Sequence, residues 1–326
     1  MLFEWLQPAF RELLQRRERF PHALLLYGSA GIGKHELAMQ LGKALLCDHP
    51  SGDGLPCGLC THCRLIAAGT HPDWFPVGLE LNDSGKLSSE IKIGQIRELC
   101  QNLTQTRHSG RYKIAIINPA ERMNRNAANS LLKTLEEPVP ETLLLLVSSQ
   151  PSRLPATIRS RCQQLRIKAP DAASIKAWLG KNYGALDTEA LYAASAGSPV
   201  AAGEIAARDL LQVRSEVLQD LRALLEGTLN PVAMAEKWKD ADLRWIFSWL
   251  TGWVEDLILI GGGGRQAVLN GDMIKPLTAL CERAEPAKLF DLHERVLHAK
   301  QLLDSSVNHR LLYESLLLEW SGIRRH

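Results

Sequence analysis

The segment Gly28-Ser29-Ala30-Gly31-Ile32-Gly33-Lys34 decides how the rest of the chain is read. It follows the apolar run Ala23-Leu24-Leu25-Leu26-Tyr27 and opens into a helical pattern over 34–46, so it joins a buried strand to a helix. The pattern G-x-x-x-x-G-K in that setting is a phosphate loop. Its glycines let backbone N–H groups turn toward one point, the helix N-terminus adds partial positive charge, and the lysine reaches the outer phosphates. Gly28, Gly31, Gly33 and Lys34 are therefore the expected phosphate-binding residues, with ATP or ADP as the ligand. A glycine-rich turn that binds nothing has the same local pattern, so occupancy stays open.

Three residues argue against hydrolysis by this chain. A working loop carries Ser or Thr after the lysine, whose hydroxyl coordinates Mg²⁺. Here the residue is His35, whose imidazole suits softer metals and fits an oxygen-rich Mg²⁺ shell poorly. Acidic residues that hold Mg²⁺ and polarise water should end the strand Ile114-Ala115-Ile116-Ile117, yet Asn118 and Pro119 stand there. Glu121 lies two residues further on and is expected to point elsewhere.

Outward from the loop, short apolar runs alternate with helical patterns, which predicts a parallel sheet covered by helices. Further strands are expected at 74–77, 112–118, 143–148 and about 164–167. Helices are expected at 91–103 and 124–137, with a short one over 151–160. After Pro170 the strand-like runs stop, and Ala-rich helical segments follow at 172–181, 188–195 and 199–207. Longer amphipathic helices take over from about 209, broken by Gly227, Pro231 and the run Gly261-Gly262-Gly263-Gly264. Trp245, Trp249 and Trp253 recur every four residues on one helix face, which reads as a buried core or subunit-packing face.

The 326 residues are 45% hydrophobic and 23% charged, which excludes a disordered chain, and a net charge of +2 argues against bulk electrostatic DNA binding. No apolar run is long enough to span a membrane, and residues 1–10 lack the features of a signal peptide, so a cytoplasmic location is expected.

Cys47, Cys57, Cys60 and Cys63 fall within seventeen residues as C-x9-C-x2-C-x2-C. Two Cys-x-x-Cys turns and a fourth thiol offer a tetrahedral sulfur shell that suits structural Zn²⁺ and leaves no open position. A redox pair or unliganded thiols are the alternatives, and His62 and His71 could substitute as ligands. Cys100, Cys162 and Cys281 are isolated and read as small apolar residues.

The segment 129–138, Asn-Ser-Leu-Leu-Lys-Thr-Leu-Glu-Glu-Pro, resembles a motif of bacterial clamp-loader subunits, which belong to the AAA+ family. The resemblance continues through 154–159 into Ser160-Arg161-Cys162, takes in the cysteine cluster, and reaches Ala196-Gly197-Ser198-Pro199. It implies an α/β P-loop (AAA+) domain over 1–167 with an inserted four-cysteine zinc module at 47–63. A helical lid follows over 168–207 and an all-α collar over 208–326.

Within that family the losses at 35, 118 and 119, with Pro199-Val200 near the place of a lid arginine, point to a stator rather than a motor. Such a subunit has little or no ATPase of its own, but forms part of a DNA-directed DNA polymerase holoenzyme. Its Arg161 is expected to act in trans, as an arginine finger at a neighbour's ATP site. The bland reading of Arg161 is a structural arginine bonding backbone carbonyls. The implied partners are motor (gamma/tau-type) and delta subunits in a hetero-pentamer that loads a sliding clamp onto primer-template DNA. Arg125 and Lys133 could approach the phosphate backbone of that DNA. The rival readings are a motor-type ATPase, which ATP turnover lost in Lys34→Ala would reveal, and a zinc-dependent nucleic-acid-binding module, which zinc-dependent DNA affinity would reveal.

Overall fold

The computed structural model describes residues 2–16, 20–81, 87–107, 112–238, 241–303 and 308–325. The chain divides into two compact units, Met1–Pro170 and Asp171–His326.

In the first unit the elements run α1 (Gln7–Gln15), β1 (Ala23–Tyr27), α2 (Lys34–Leu46), α3 (Thr61–Ala67), β2 (Trp74–Val77), α4 (Ile93–Thr104), β3 (Lys113–Ile117), α5 (Arg125–Glu136), β4 (Thr142–Ser148), α6 (Ala156–Arg159) and β5 (Gln163–Arg166). The strands form one parallel sheet in the order β2-β3-β4-β1-β5. The expected 151–160 helix is instead a 3-10 turn, Pro151–Arg153, and the single-turn α6; Pro155 has no N–H to continue a helix between them.

Burial on both faces explains the unbroken apolar runs of the inner strands. Leu24, Leu26, Ile114, Ile116, Leu143 and Leu145 pack on one face with Leu37 and Leu41 of α2. The alternate residues Leu25, Ala115, Ile117, Leu144 and Leu146 pack on the other with Leu99 of α4 and Leu131 of α5. The two edges look different. Pro76, which cannot donate to a ladder, sits in edge strand β2, while the opposite edge strand β5 exposes Gln163, Gln164 and Arg166.

The second unit is helical: α7 (Ala172–Tyr183), α8 (Thr188–Ala194), α9 (Pro199–Ala207), α10 (Leu210–Glu226), α11 (Pro231–Lys237), α12 (Leu243–Gly261), α13 (Ile274–Arg283), α14 (Pro286–Leu302) and α15 (His309–Gly322). Side-chain caps start many of these helices, with Asp171, Asp187, Ser198, Asn230, Asp242 and Asn308 each accepting an otherwise unpaired N–H. One core runs from Ile175 of α7 to Ile323, just beyond α15. Trp249 and Trp253 are buried in it, Trp245 packs against it, and Trp249 Nε1 donates to the Ala194 carbonyl at 3.0 Å. The tryptophan face is therefore core. Among the described residues no helix is long and apolar enough to cross a membrane.

A polar network is sealed inside this unit. Arg214, 1% exposed, donates to Asp272 at 2.6 and 3.2 Å and to Asn270 Oδ1 at 2.6 Å. Asp256 accepts from the N–H groups of Leu269 and Asn270 and from the Asn270 side chain. Arg214→Ala leaves Asp272, whose side chain is 9% exposed, without its cation and the buried Asn270 Oδ1 without its donor, a loss of about 3–5 kcal/mol. Denaturant unfolding followed by tryptophan emission is expected to show it. Breaking the half-exposed Arg222–Glu226 pair by Arg222→Ala should be near neutral in the same assay, since Glu226 also keeps Arg283.

Candidate functional site: phosphate loop, cysteine cluster and exposed arginine

The parallel sheet puts the C-terminal ends of its strands on one edge, and the loop after β1 starts there. The Gly28 N–H donates to the Ser148 carbonyl at the end of β4 at 3.3 Å. On the other side, the Ile167 N–H donates to the Tyr27 carbonyl at 2.7 Å, just beyond β5. This tie brings backbone against Gly28, where a Cβ would lie 2.3 Å from the Ile167 carbonyl oxygen. Gly33 has φ +92°, the left-handed region, and a Cβ there would lie 2.3 Å from the Phe3 ring. The N-terminal segment thus lies against the loop, and Trp5 Nε1 donates to the Ile32 carbonyl at 3.0 Å.

Lys34 opens α2 and is 4% exposed. Its ammonium donates to the Ser29 carbonyl at 2.5 Å and to Ser149 Oγ at 3.0 Å. Burial lowers its pKa, and the nearby Glu121 carboxylate works in the opposite direction. Glu121 therefore does not point away from the site, as its place in the sequence suggests. Its Oε1 accepts the Ser149 N–H at 2.9 Å, and its Oε2 is buried without a hydrogen-bond partner. The 3-10 turn Ala120–Arg122 that follows β3 swings this side chain back over the strand ends. Ser149 and Glu121 are the residues that sequence reasoning missed. Ser149 carries a signal, since it directly follows the apolar run of β4; Glu121 carries none.

His35 is exposed on the first turn of α2, and Asn118 and Pro119 end β3 with no carboxylate. The arrangement can offer an anion the loop N–H groups and Lys34. It holds no oxygen cage for Mg²⁺ from the usual two positions.

The four cysteines do converge. Cys47 follows α2, Cys57 and Cys60 lie in the turn before α3, and Cys63 lies in its first turn. Their Sγ atoms all lie within 4.8 Å of one another, and the Cys47 and Cys60 sulfurs are 3.9 Å apart. A tetrahedron with metal–sulfur bonds of about 2.3 Å needs sulfurs about 3.8 Å apart, so the set fits a metal ion of that kind. Backbone N–H groups already aim at the sulfurs: Cys57 N–H at Cys47, Leu59 and Cys60 N–H at Cys57, and Cys63 N–H at Cys60. Those of Leu59 and Cys60 bring the Cys57 thiol down to about 6, whereas burial pushes Cys63 up to about 12. A cation would bind Cys63 by displacing its proton.

His62 and His71 are not drawn into this shell. They bond each other, Nδ1 to Nε2 at 2.8 Å. The Asp73 N–H donates to His71 Nδ1, which places the His71 proton on Nε2 and makes His62 Nδ1 the acceptor. His62 Nε2 then faces Asp48 at 3.4 Å.

Arg161 lies in the turn between α6 and β5, with its side chain 36% exposed. Its guanidinium pairs with Glu136 of α5 at 2.7 Å and donates to the Thr157 carbonyl at 3.0 Å. The 129–138 and 160–162 motifs are thus in direct contact, which no spacing rule would show. Arg125 and Lys133 are exposed on α5. At 196–199 the turn passes through Ala196 and Gly197, both at positive φ, and Ser198 caps α9 while Pro199 occupies its first turn.

The backbone contact at Gly28 is unforgiving. Gly28→Ala is expected to lower the stability of the first unit by about 1–3 kcal/mol, since no side-chain rotation can relieve it. Gly52→Ala, with nothing within 4 Å of the added methyl group, should be near neutral in the same denaturant titration.

The family profile described as "DNA polymerase III, delta subunit" matches residues 7–171, and "DNA polymerase III, delta subunit, C terminal" matches 208–322. The chain is 37% identical to DNA polymerase III subunit delta' of Pseudomonas aeruginosa, covering 99% of this chain and 98% of that one. It is 32% identical to the Escherichia coli protein of the same name, covering 97% and 94%. Its similarity to E. coli DNA polymerase III subunit tau, 35% identity, covers 48% of this chain and 23% of tau. The chain therefore belongs to the DNA polymerase III delta' (delta prime) family.

Proposed function

We propose that the chain is the stator subunit of a DNA polymerase III clamp loader and completes a neighbouring subunit's ATP site with Arg161. The observation that carries this is a contrast. The chain's own loop has Lys34 tied to Ser29 and Ser149 and no carboxylate at 118 or 119, while Arg161 stands at the surface, oriented by Glu136 and the Thr157 carbonyl. A guanidinium so held can enter a partner's site and offset charge on a transferred phosphoryl group, an effect worth about 10³–10⁵ in rate at the site served.

In this reading the chain has little or no ATPase activity of its own. It joins gamma/tau-type motor subunits and a delta subunit in a hetero-pentamer that uses ATP to load the sliding clamp onto primed DNA in the cytoplasm. The lid spans 168–207 and the collar 208–326. Cys47, Cys57, Cys60 and Cys63 hold structural Zn²⁺, which stitches the segment after α2 to α3.

Arg161→Ala should leave assembly with the motor and delta subunits intact by gel filtration. Clamp- and DNA-dependent ATP hydrolysis by the reconstituted complex should fall as the site facing Arg161 goes silent; an undiminished rate would sink the assignment. Zinc should be found at one ion per chain by elemental analysis. Its removal by a chelator should lower the melting temperature of the N-terminal unit, and a chain purified without metal yet equally stable would remove the zinc assignment.

A further inference from the structure

The buried ammonium of Lys34 is satisfied from within the chain, and one residue links it to a carboxylate. Ser149 accepts from Lys34 through Oγ and donates its N–H to Glu121 Oε1. The other oxygen of that carboxylate is buried with no donor. We infer that Glu121 is the built-in counter-ion of the phosphate loop, and that it keeps nucleotide phosphates out of a loop otherwise shaped to receive them.

The missing Mg²⁺ ligands leave this carboxylate unscreened. In a hydrolysing P-loop site the metal ion lies between acidic side chains and the phosphates, so negative charge on both sides is tolerated. Here His35 is exposed on α2 and Asn118 is uncharged, so the usual ligands for such an ion are absent. An arriving phosphate must displace Lys34 from Ser29 and Ser149 and then lie near a carboxylate with no cation between them. Like charges brought together in a partly buried site oppose binding. The loop itself is preformed: Gly28 and Gly33 hold the required backbone, and Trp5 fixes the Ile32 carbonyl. Beside that loop the Glu121 carboxylate supplies the charge that opposes an anion. Removing it should therefore restore anion binding that is independent of Mg²⁺.

The test is a titration of the chain with a fluorescent N-methylanthraniloyl ADP in Mg²⁺-free buffer without a chelator. Glu121→Gln keeps the shape of the side chain and removes its charge, and is expected to bind at least about tenfold tighter than the unmodified chain. The gain should vanish in Glu121→Gln/Lys34→Ala. The inference is overturned if Glu121→Gln binds no more tightly, or if the gain survives loss of Lys34. Glu121→Ala, judged by the same two comparisons, serves if the Gln variant loses its helical circular dichroism. The experiment uses the isolated chain and does not involve Arg161, so this inference and the stator reading can fail separately.

Discussion

All five described strands of the N-terminal unit run in one direction, and their sheet is covered on both faces. The phosphate loop depends on this arrangement, because it collects the C-terminal ends of the strands at one end of the sheet. The loop after β1, Asn118 after β3 and Ser149 after β4 meet there although they are far apart in sequence. β1 lies between β4 and β5, so its loop is anchored from both sides, at Ser148 and at Ile167. Burying Lys34 at that edge then creates a demand for partners, since an unpaired buried ammonium is costly. In this chain the demand is met by Ser29 and Ser149.

Arg161 answers the opposite requirement. It stays at the surface and is nevertheless oriented. Glu136 and the Thr157 carbonyl provide that orientation without sealing the guanidinium. The pairing also gives a physical meaning to two motifs that are separate in the sequence. The end of α5 carries the acid that positions the arginine, so one ion pair links α5 to the turn before β5. The cysteine module is built differently. Its geometry rests on short turns and on N–H groups aimed at sulfur, while Ile66 of α3 packs into the sheet core.

The helical unit gains its definition from a few polar groups inside an otherwise apolar core. Arg214, Asp272, Asn270 and Asp256 tie α10 and α12 to the segment leading into α13. Such a network tolerates little slippage, because moving one member strands another without a partner. The indole donors of Trp249 and Trp320 act in the same way, each fixed on a backbone carbonyl of a different helix.

The parts whose physics is local are legible along the chain. Apolar runs located β1, β3 and β4. The G-x-x-x-x-G-K spacing located the loop, and the Cys-x-x-Cys turns located the sulfur cluster, since each is formed by residues close along the chain. His35 and Asn118 could be read as losses because their neighbours fixed their positions. Tertiary structure alone decided which groups face Lys34, which acid holds Arg161, and that His62 and His71 bond each other. Those contacts join residues up to 115 positions apart, as between Lys34 and Ser149. The return of Glu121 toward the loop belongs with them: a turn of three residues sets its direction, and only the packed strand ends reveal what it meets. A pattern along the chain records periodicity and spacing. Electrostatic partners are set by the packing of strands and helices in space, and the sequence does not display that directly.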